Sequence, residues 1–230
     1  MHDNRMTTEI LTIDKGQCLT DVLPAIPANT IFDKTITGCG ATHSEIVNAA
    51  RHSIIIEPNI PVILGKKAEH PFLFAVYEGI TKEDVKAYLA GEHDGYRKII
   101  TTPEGFDKKV LPAMHELEIP VYKDYFLLFD ECEKAIQDVG YRGDIYLPVE
   151  DFFKFENKAM VSATPIVPSD PRFEENGFKI LKLVPTYDSR IELTLCTTNN
   201  TVAVMRKLLK RLENETVCVF LNSTETILSL

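Results

Sequence analysis

Residues 126–133 read FLLFDECE, a run of four apolar residues that ends in two adjacent acids, Asp130 and Glu131. A run that is apolar throughout is typical of a strand buried on both faces, as in a parallel sheet. Ligands bind at the carboxyl ends of such strands, where one carboxylate can hold Mg²⁺ and its neighbour can polarise a water. The same pattern also fits a strand followed by a helix whose first turn favours acids.

Similar runs recur along the chain and alternate with helical patterns. Strands are predicted over residues 53–56, 72–76, 98–101 and 160–162. Helices are predicted over residues 44–52, 81–90, 103–115, 131–139 and 149–155. Strands that alternate with helices imply right-handed crossovers, so the sequence predicts an α/β fold with a mainly parallel central sheet flanked by helices.

The residue composition of the chain changes after residue 164. Three prolines and an acidic stretch predict a linker there. Strands over residues 179–184, 191–195 and 217–221 and a helix over residues 201–212 are predicted beyond it. We therefore expect one domain over residues 1–168, followed by a linker and the beginning of a second α/β domain over residues 169–230.

Composition narrows the class of protein. The 230 residues carry 25 Lys and Arg against 34 Asp and Glu, a net charge of −9, which disfavours a surface that coats duplex nucleic acid. A narrow basic groove stays compatible with that balance. No run of about 18 apolar residues occurs, so we expect no membrane-spanning helix. The five scattered cysteines form no CxxC pair, and the first residues do not resemble a secretory signal, so we expect a cytoplasmic protein without disulfides.

Residues 34–45, KTITGCGATHSE, precede a predicted helix and form a glycine-containing loop. In such a context backbone N–H groups can turn inward and cradle a phosphate. Gly40 and Thr42 match the P-loop pattern GxxxxGK[ST], whereas Thr35 stands at its first glycine and Ala41 at its lysine. The segment taken alone is also compatible with a tight turn that opens a helix.

A third segment, residues 161–165, reads VSATP and follows another apolar run. In this order the three segments resemble motifs I, II and III of the superfamily 2 (DEAD/DEAH-like) helicases. Weaker matches to motifs Ia, Ib and IV occur at residues 56–59, 101–105 and 217–223. The resemblance implies a RecA-like P-loop domain that binds ATP and Mg²⁺, and a nucleic acid, single-stranded or duplex, as partner.

The resemblance also implies roles for individual residues. The loop that surrounds the phosphates would consist of Thr37, Gly38, Cys39, Gly40, Ala41 and Thr42. Thr42 and Asp130 would hold Mg²⁺, and Glu131 would activate water. Coupling to nucleic acid, or contact with its sugar-phosphate backbone, would fall to Asn59, Thr101, Thr102, Ser162 and Thr164.

Two departures from the family pattern predict weak or absent ATP hydrolysis by this chain alone. Ala41 removes the ammonium that normally neutralises the β- and γ-phosphates. The sequence also ends before motifs V and VI, which provide the arginine finger of the family. Lys34, seven positions before Ala41, or a second domain or partner protein could supply the missing charge.

Two functions from different classes follow. The first is a helicase-like nucleotide-binding domain that acts on nucleic acid within a larger helicase or translocase. The alternative is a non-catalytic RecA-like scaffold that binds protein or nucleic acid without turnover. A third reading, an unrelated α/β enzyme, lacks a nucleophile motif such as GxSxG.

Overall fold

A computed structural model describes residues 6–132, 149–164, 170–189 and 197–212 of the chain. Its contacts define two compact units, Met1–Ser189 and Arg190–Leu230. In the second unit the described residues contain helix α10 (Thr201–Arg211), which confirms the helix predicted there. Within the described ranges, none of the helices has the length and apolar character needed to cross a lipid bilayer.

The first unit is built on one eight-stranded sheet in which all neighbouring strands are parallel. The order across the sheet is β1-β8-β2-β7-β6-β3-β5-β4. The strands are β1 (Thr8–Ile13), β2 (Thr30–Asp33), β3 (His52–Ile56), β4 (Phe74–Val76), β5 (Lys98–Thr101), β6 (Tyr125–Phe129), β7 (Asn157–Ser162) and β8 (Lys179–Pro185). The predicted α/β class with a parallel sheet is therefore confirmed.

Helices connect successive strands. They are α1 (Leu19–Val22), α2 (Ala41–Ile46), α3 (Ile60–Glu69), α4 (Lys82–Ala90), α5 (Pro103–Gly105), a π-helical turn (Phe106–Val110), α6 (Leu111–Glu116), α7 (Val121–Asp124), α8 (Val149–Lys154) and α9 (Arg172–Glu175). The helices predicted over residues 81–90, 103–115 and 149–155 are confirmed. Helix α4 begins as its sequence indicates, because the hydroxyl of Thr81 accepts a hydrogen bond from the amide of Asp84.

Two predicted elements differ from the observed ones. The helix predicted over residues 44–52 is wrong beyond Ile46, because the chain turns where the Asn48 side chain accepts a hydrogen bond from the Ala50 amide. The strand predicted over residues 72–76 starts only at Phe74, since the Leu73 amide donates to the His70 carbonyl in a turn. The elements predicted over residues 191–195 and 217–221, and most of the helix over 131–139, lie outside the described residues.

The sheet separates two apolar cores, and the central strands contribute to both. Successive residues of β6 alternate between the two sides, with Phe126 and Leu128 in one cluster and Leu127 and Phe129 in the other. All four side chains are buried. Because β6 is covered on both faces, neither face is exposed to solvent and neither needs polar residues. This explains the uninterrupted apolar run in the sequence.

Strand β8 lies between β1 and β2, so residues 179–185 pack within the first unit. The sheet therefore continues past residue 168, where the sequence predicts a domain boundary. That residues 169–230 contain a linker and the beginning of a second RecA-like domain stays a prediction.

Candidate functional site

A cavity of about 340 Å³ lies at the carboxyl edge of the sheet, where β2, β3 and β6 end. Lys34 follows β2, Glu57 follows β3, and Asp130 and Glu131 follow β6; all four line the cavity. Residues 38–43, from the glycine loop and α2, form another wall. Parallel strands thus bring together residues that lie far apart in the sequence, as expected for ligand sites of α/β sheets.

The backbone of the glycine loop adopts left-handed conformations. Gly38 and Gly40 have φ angles of 75° and 87°, and a side chain added at either would meet no heavy atom within 4 Å. The backbone angle, and not crowding, therefore favours glycine at these two positions. Thr35, at the first glycine of the P-loop pattern, also has a positive φ of 51°, and its amide and hydroxyl both donate to the Asp33 carboxylate. Residue 35 therefore keeps a left-handed backbone conformation although it is a threonine and not the glycine of the P-loop pattern.

The thiol of Cys39 is buried beneath the loop. Its burial raises the pKa of the thiol, against a hydrogen bond that the Ala41 amide donates to the sulfur. The Cys39 carbonyl accepts a hydrogen bond of 2.8 Å from the Leu19 amide at the start of α1. Contacts on both sides of Cys39 therefore hold the loop in place.

The ammonium of Lys34 joins the two acids at the end of β6. Its Nζ lies 3.2 Å from Oδ1 of Asp130 and 2.9 Å from Oε1 of Glu131, and the lysine itself is buried. Burial alone would lower the pKa of Lys34, but the two carboxylates outweigh it, so the pKa is raised and the lysine is charged. A full positive charge is therefore fixed in the cavity, beside the uncharged position Ala41.

Asp130 is satisfied by protein donors on both carboxylate oxygens. Its Oδ1 accepts from the Glu131 amide at 2.9 Å as well as from Lys34, and its Oδ2 accepts from the Thr42 hydroxyl. Glu131 has a φ of 50°, a left-handed conformation that is uncommon for a side chain of this size. Non-glycine residues held in this region cluster at functional sites.

The pair Thr42 and Asp130 fits a magnesium ion that arrives with a nucleotide. Hydroxyl and carboxylate oxygens are suitable ligands, and Mg²⁺ is usually held by one or two carboxylates together with substrate phosphates. In the ranges described above, no group of three or more His, Cys, Asp or Glu could hold a metal ion by itself. Thr42 and Asp130 could therefore supply two ligands to a magnesium ion, and phosphate oxygens would have to supply the others.

Glu57 is a third carboxylate in the cavity and, with Asp130, one of the two that are buried; it was not predicted from the sequence. Its burial, reinforced by the charge of Asp130, raises the pKa of Glu57 to about 7, although hydrogen bonds from Asn59 oppose the shift. The backbone amide and the side-chain amide of Asn59 both donate to Oε1 of Glu57, at 2.9 and 2.8 Å. Glu57 follows a buried strand just as Asp130 does, and that signal in the sequence would have revealed it.

Helix α3 forms the remaining described wall through Asn59, Val62 and Lys66. Asn59, which the resemblance places near nucleic acid, precedes α3 and lines the same cavity as the acid pair. On the neighbouring side, Nδ1 of His43 lies 3.2 Å from Nε2 of His70. The α3 wall thus contributes Lys66 to the cavity, and His70, which follows α3, contacts His43 of the wall formed by the glycine loop and α2.

Ser162 and Thr164 lie outside the cavity lining, at the end of β7. Ser162 is buried; its hydroxyl accepts from the Thr164 amide at 2.9 Å, and its carbonyl accepts from the Lys34 amide at 2.9 Å. Thr164 is exposed. The segment therefore contacts the backbone of Lys34 directly, which gives it a physical link to the cavity.

The remaining predicted residues are also outside the lining. Thr101 is buried, and its hydroxyl donates to the Thr102 carbonyl, whereas the hydroxyl of Thr102 accepts from the Gly105 amide and caps α5. A side chain at Gly105 would come within 2.5 Å of the Thr101 hydroxyl, so glycine is required there. Thr37 is exposed at the tip of the glycine loop.

Comparisons with known proteins bear on the fold. No family model and no curated protein matches the sequence. The crystal structure of the DUF1998 helicase MrfA is similar, with a TM-score of 0.56 and 15% identity over 87% of this chain and 34% of MrfA. The Pyrococcus furiosus Hef helicase domain gives a TM-score of 0.43 and 12% identity over 97% of this chain and 48% of that domain. The chain has the helicase-like RecA fold, and it spans about a third of the MrfA chain.

Proposed function

We propose that this chain is the nucleotide-binding RecA-like domain of a larger helicase or translocase that acts on nucleic acid. ATP would bind in the cavity between the glycine loop and the acid pair. The observation that supports this best is the Lys34 ammonium, which lies in that cavity in contact with Asp130 and Glu131. A fixed cation, a glycine loop and a paired carboxylate are the parts that phosphoryl-transfer sites share.

Lys34 would supply the charge that Ala41 lacks. Both residues line the cavity, and the Lys34 ammonium is already desolvated and oriented by the two carboxylates. A bound phosphate oxygen can share its three N–H donors without a large rearrangement. The lysine would thus neutralise phosphate from the β2 side of the loop.

Thr42 and Asp130 would hold Mg²⁺, which would neutralise charge on the phosphates. Glu131 would orient the attacking water and accept its proton. The Ser162 carbonyl accepts a hydrogen bond from the Lys34 amide, and its hydroxyl accepts one from the Thr164 amide. Through these two bonds, nucleotide binding in the cavity would change the position of Thr164 on the surface. Thr102, which follows β5 and is half-buried, would contact the sugar-phosphate backbone of a nucleic acid, and the buried Thr101 precedes it.

Hydrolysis by this chain alone would be weak or absent. No arginine occurs among the described residues that line the cavity, and loss of an arginine finger costs about 10³–10⁵ in rate. A second domain or a partner protein would complete the site. Robust ATP turnover by the purified chain that Glu131→Gln abolishes would contradict this part of the proposal.

The test is calorimetric titration of ATP and ADP, with Mg²⁺ and with EDTA. We expect Mg²⁺-dependent binding that Asp130→Ala and Lys34→Ala each weaken at least about tenfold, the loss typical of a charge-assisted hydrogen bond. Asp124→Ala is the matched control, because Asp124 precedes β6 whereas Asp130 follows it. Circular dichroism verifies that each variant is folded. Absence of binding by the wild-type chain would refute a nucleotide site.

One observation favours the alternative, a RecA-like scaffold without turnover. Both oxygens of Asp130 are satisfied by Thr42, Glu131 and Lys34, so Asp130 needs no ligand to satisfy its carboxylate. A scaffold would bind a fluorescent single-stranded oligonucleotide in an anisotropy assay with an affinity that neither ATP nor Asp130→Ala changes. The same assay therefore separates the two functions.

A further inference from the structure

The cavity has a second lysine, contributed by a different element from the first. Asn59, Val62 and Lys66 follow one another at intervals of three and four residues, so they share one face of α3 and its cap. All three line the cavity that contains the glycine loop. Lys66 therefore approaches the loop from the α3 side, whereas Lys34 approaches it from β2.

The charges of the described lining show why this lysine matters. Lys34 and Lys66 face three carboxylates, those of Glu57, Asp130 and Glu131. The Lys34 ammonium is already bound to two of them. A polyphosphate that enters the cavity is thus repelled by the acids unless Mg²⁺ and Lys66 compensate its charge.

Lys66 can be recruited at little cost. Its Nζ contacts Glu69 at 2.8 Å, one turn along the same helix, and more than half of the Glu69 side chain is exposed to solvent. Exposed ion pairs of this kind contribute little to stability and exchange partners readily. Lysine has a compact charge on a flexible four-carbon stem, so it can leave Glu69 and reach into the cavity.

We propose that Lys66 binds the terminal phosphate of ATP and gives this cavity its preference for a triphosphate over a diphosphate. The inference rests on the proposed nucleotide site and adds a residue and a specificity to it. In the proposed site the backbone amides of the glycine loop would surround the inner phosphates, and Ala41 adds no charge for the outer one. Because Lys34 is shared with Asp130 and Glu131 on the β2 side, a second cation at the terminal phosphate has to come from another wall, and Lys66 lines the cavity there.

The experiment compares the affinities for Mg²⁺-ATP and Mg²⁺-ADP by calorimetry. Lys66→Ala is expected to weaken ATP binding about 10- to 100-fold, as for the loss of one charge-assisted contact, and to leave ADP binding within about twofold. Lys66→Arg should retain the preference for ATP. Glu69→Gln, which frees Lys66 from its partner, should tighten ATP binding but not ADP binding, and a merely structural role of Lys66 would not produce that gain.

Lys154→Ala serves as the control, because Lys154 forms an ion pair with Asp151 at the same three-residue spacing but is not among the lining residues. If wild-type chain binds both nucleotides and Lys66→Ala leaves their affinity ratio unchanged, the role of Lys66 is refuted and the nucleotide site stands. If the wild-type chain binds neither nucleotide, the proposed function and this inference are refuted together.

Discussion

Glu57 and Asp130 occupy equivalent positions at the ends of two neighbouring strands. Ile56 of β3 pairs with Phe129 of β6, and the acids are the next residues on each strand. The Asp130 amide donates to the Ile56 carbonyl at 2.9 Å, which fixes this arrangement. Both acids are only 2% exposed, so two carboxylates are held close together away from water.

This arrangement predicts how stability depends on pH. Burial and the nearby Asp130 raise the pKa of Glu57 from 4.5 to about 7, so the folded state binds more protons between these values. The Glu57 contribution to the free energy of unfolding therefore falls as the pH rises from about 4.5 to about 7, by about 3 kcal/mol in total. Glu57→Gln should remove this loss. Urea denaturation at pH 5 and pH 8 should show the variant stabilised relative to wild type only at the higher pH; an equal difference at both would contradict the prediction.

Removal of the Lys34 charge should destabilise the fold. Lys34→Met leaves Asp130 and Glu131 as adjacent carboxylates without their counter-ion, and breaking a buried ion pair from one side costs roughly 3–5 kcal/mol. Chemical denaturation at pH 7 measures the loss. The double variant Lys34→Met/Asp130→Asn should recover part of it, because one of the two charges is then gone. Additive losses in the double variant would show that the pair is not coupled.

A second buried network should anchor α2, the helix that follows the glycine loop. The fully buried Glu45 accepts hydrogen bonds from Arg51 and Ser53 and lies 3.6 Å from Nζ of Lys98. Burial lowers the pKa of Lys98 to about 8, against the attraction of Glu45. Glu45→Gln should lower the free energy of unfolding by about 3–5 kcal/mol, since two cations then lose their partner.

The matched control for this network is Glu104→Gln. Glu104 pairs with Lys108 on the surface, where both side chains are mostly exposed. Such a pair contributes roughly 0–1 kcal/mol, so the control should denature close to wild type. Similar losses in the two variants would mean that the Glu45 network does not stabilise the fold.

The two thiols near the glycine loop should differ in reactivity. Cys39 is buried and its pKa is raised, whereas Cys18 is exposed. Because the thiolate is the reactive form, iodoacetamide should label Cys18 about tenfold faster or more in the folded chain. Peptide mapping by mass spectrometry provides the rates, and in urea the two should converge. Rapid labelling of Cys39 in the folded chain would contradict its burial.

The sheet was predictable from the sequence where its strands are buried on both faces. Continuous apolar runs identify β3, β5 and β6, because tertiary packing and local pattern agree there. The sequence does not predict the strand β1, because four of its six side chains are exposed and the polar residues of TEILTI, at positions 8, 9 and 12, interrupt the apolar run. The turn after α2 is predicted as helix, because its residues have good helix propensity. A hydrogen bond to the Asn48 side chain holds them in a turn instead.

The candidate site was predictable in part. The glycine loop and the acid pair stand out as local patterns, and the structure brings them to one cavity. The contact between Lys34 and Asp130 joins residues 96 positions apart, and strand order decides which residues meet at the sheet edge. No local pattern specifies that order. The sequence does not predict Lys66 as a site residue, because a half-exposed lysine on a helix cannot be distinguished by sequence from a lysine on the solvated surface.

Strand β8 is the last strand of the sheet to be synthesised, yet it lies between the first two strands, β1 and β2. Strand β1 is at the edge and has β8 as its neighbour, so Thr8 pairs with Ile180. The amino-terminal strand leaves the ribosome well before its partner has been translated, and β2 has an open edge until then. Closure of such a long loop is slow, and an unpaired edge invites association with other chains. A nascent chain that stalls before residue 179 would therefore depend on a chaperone to shield that edge.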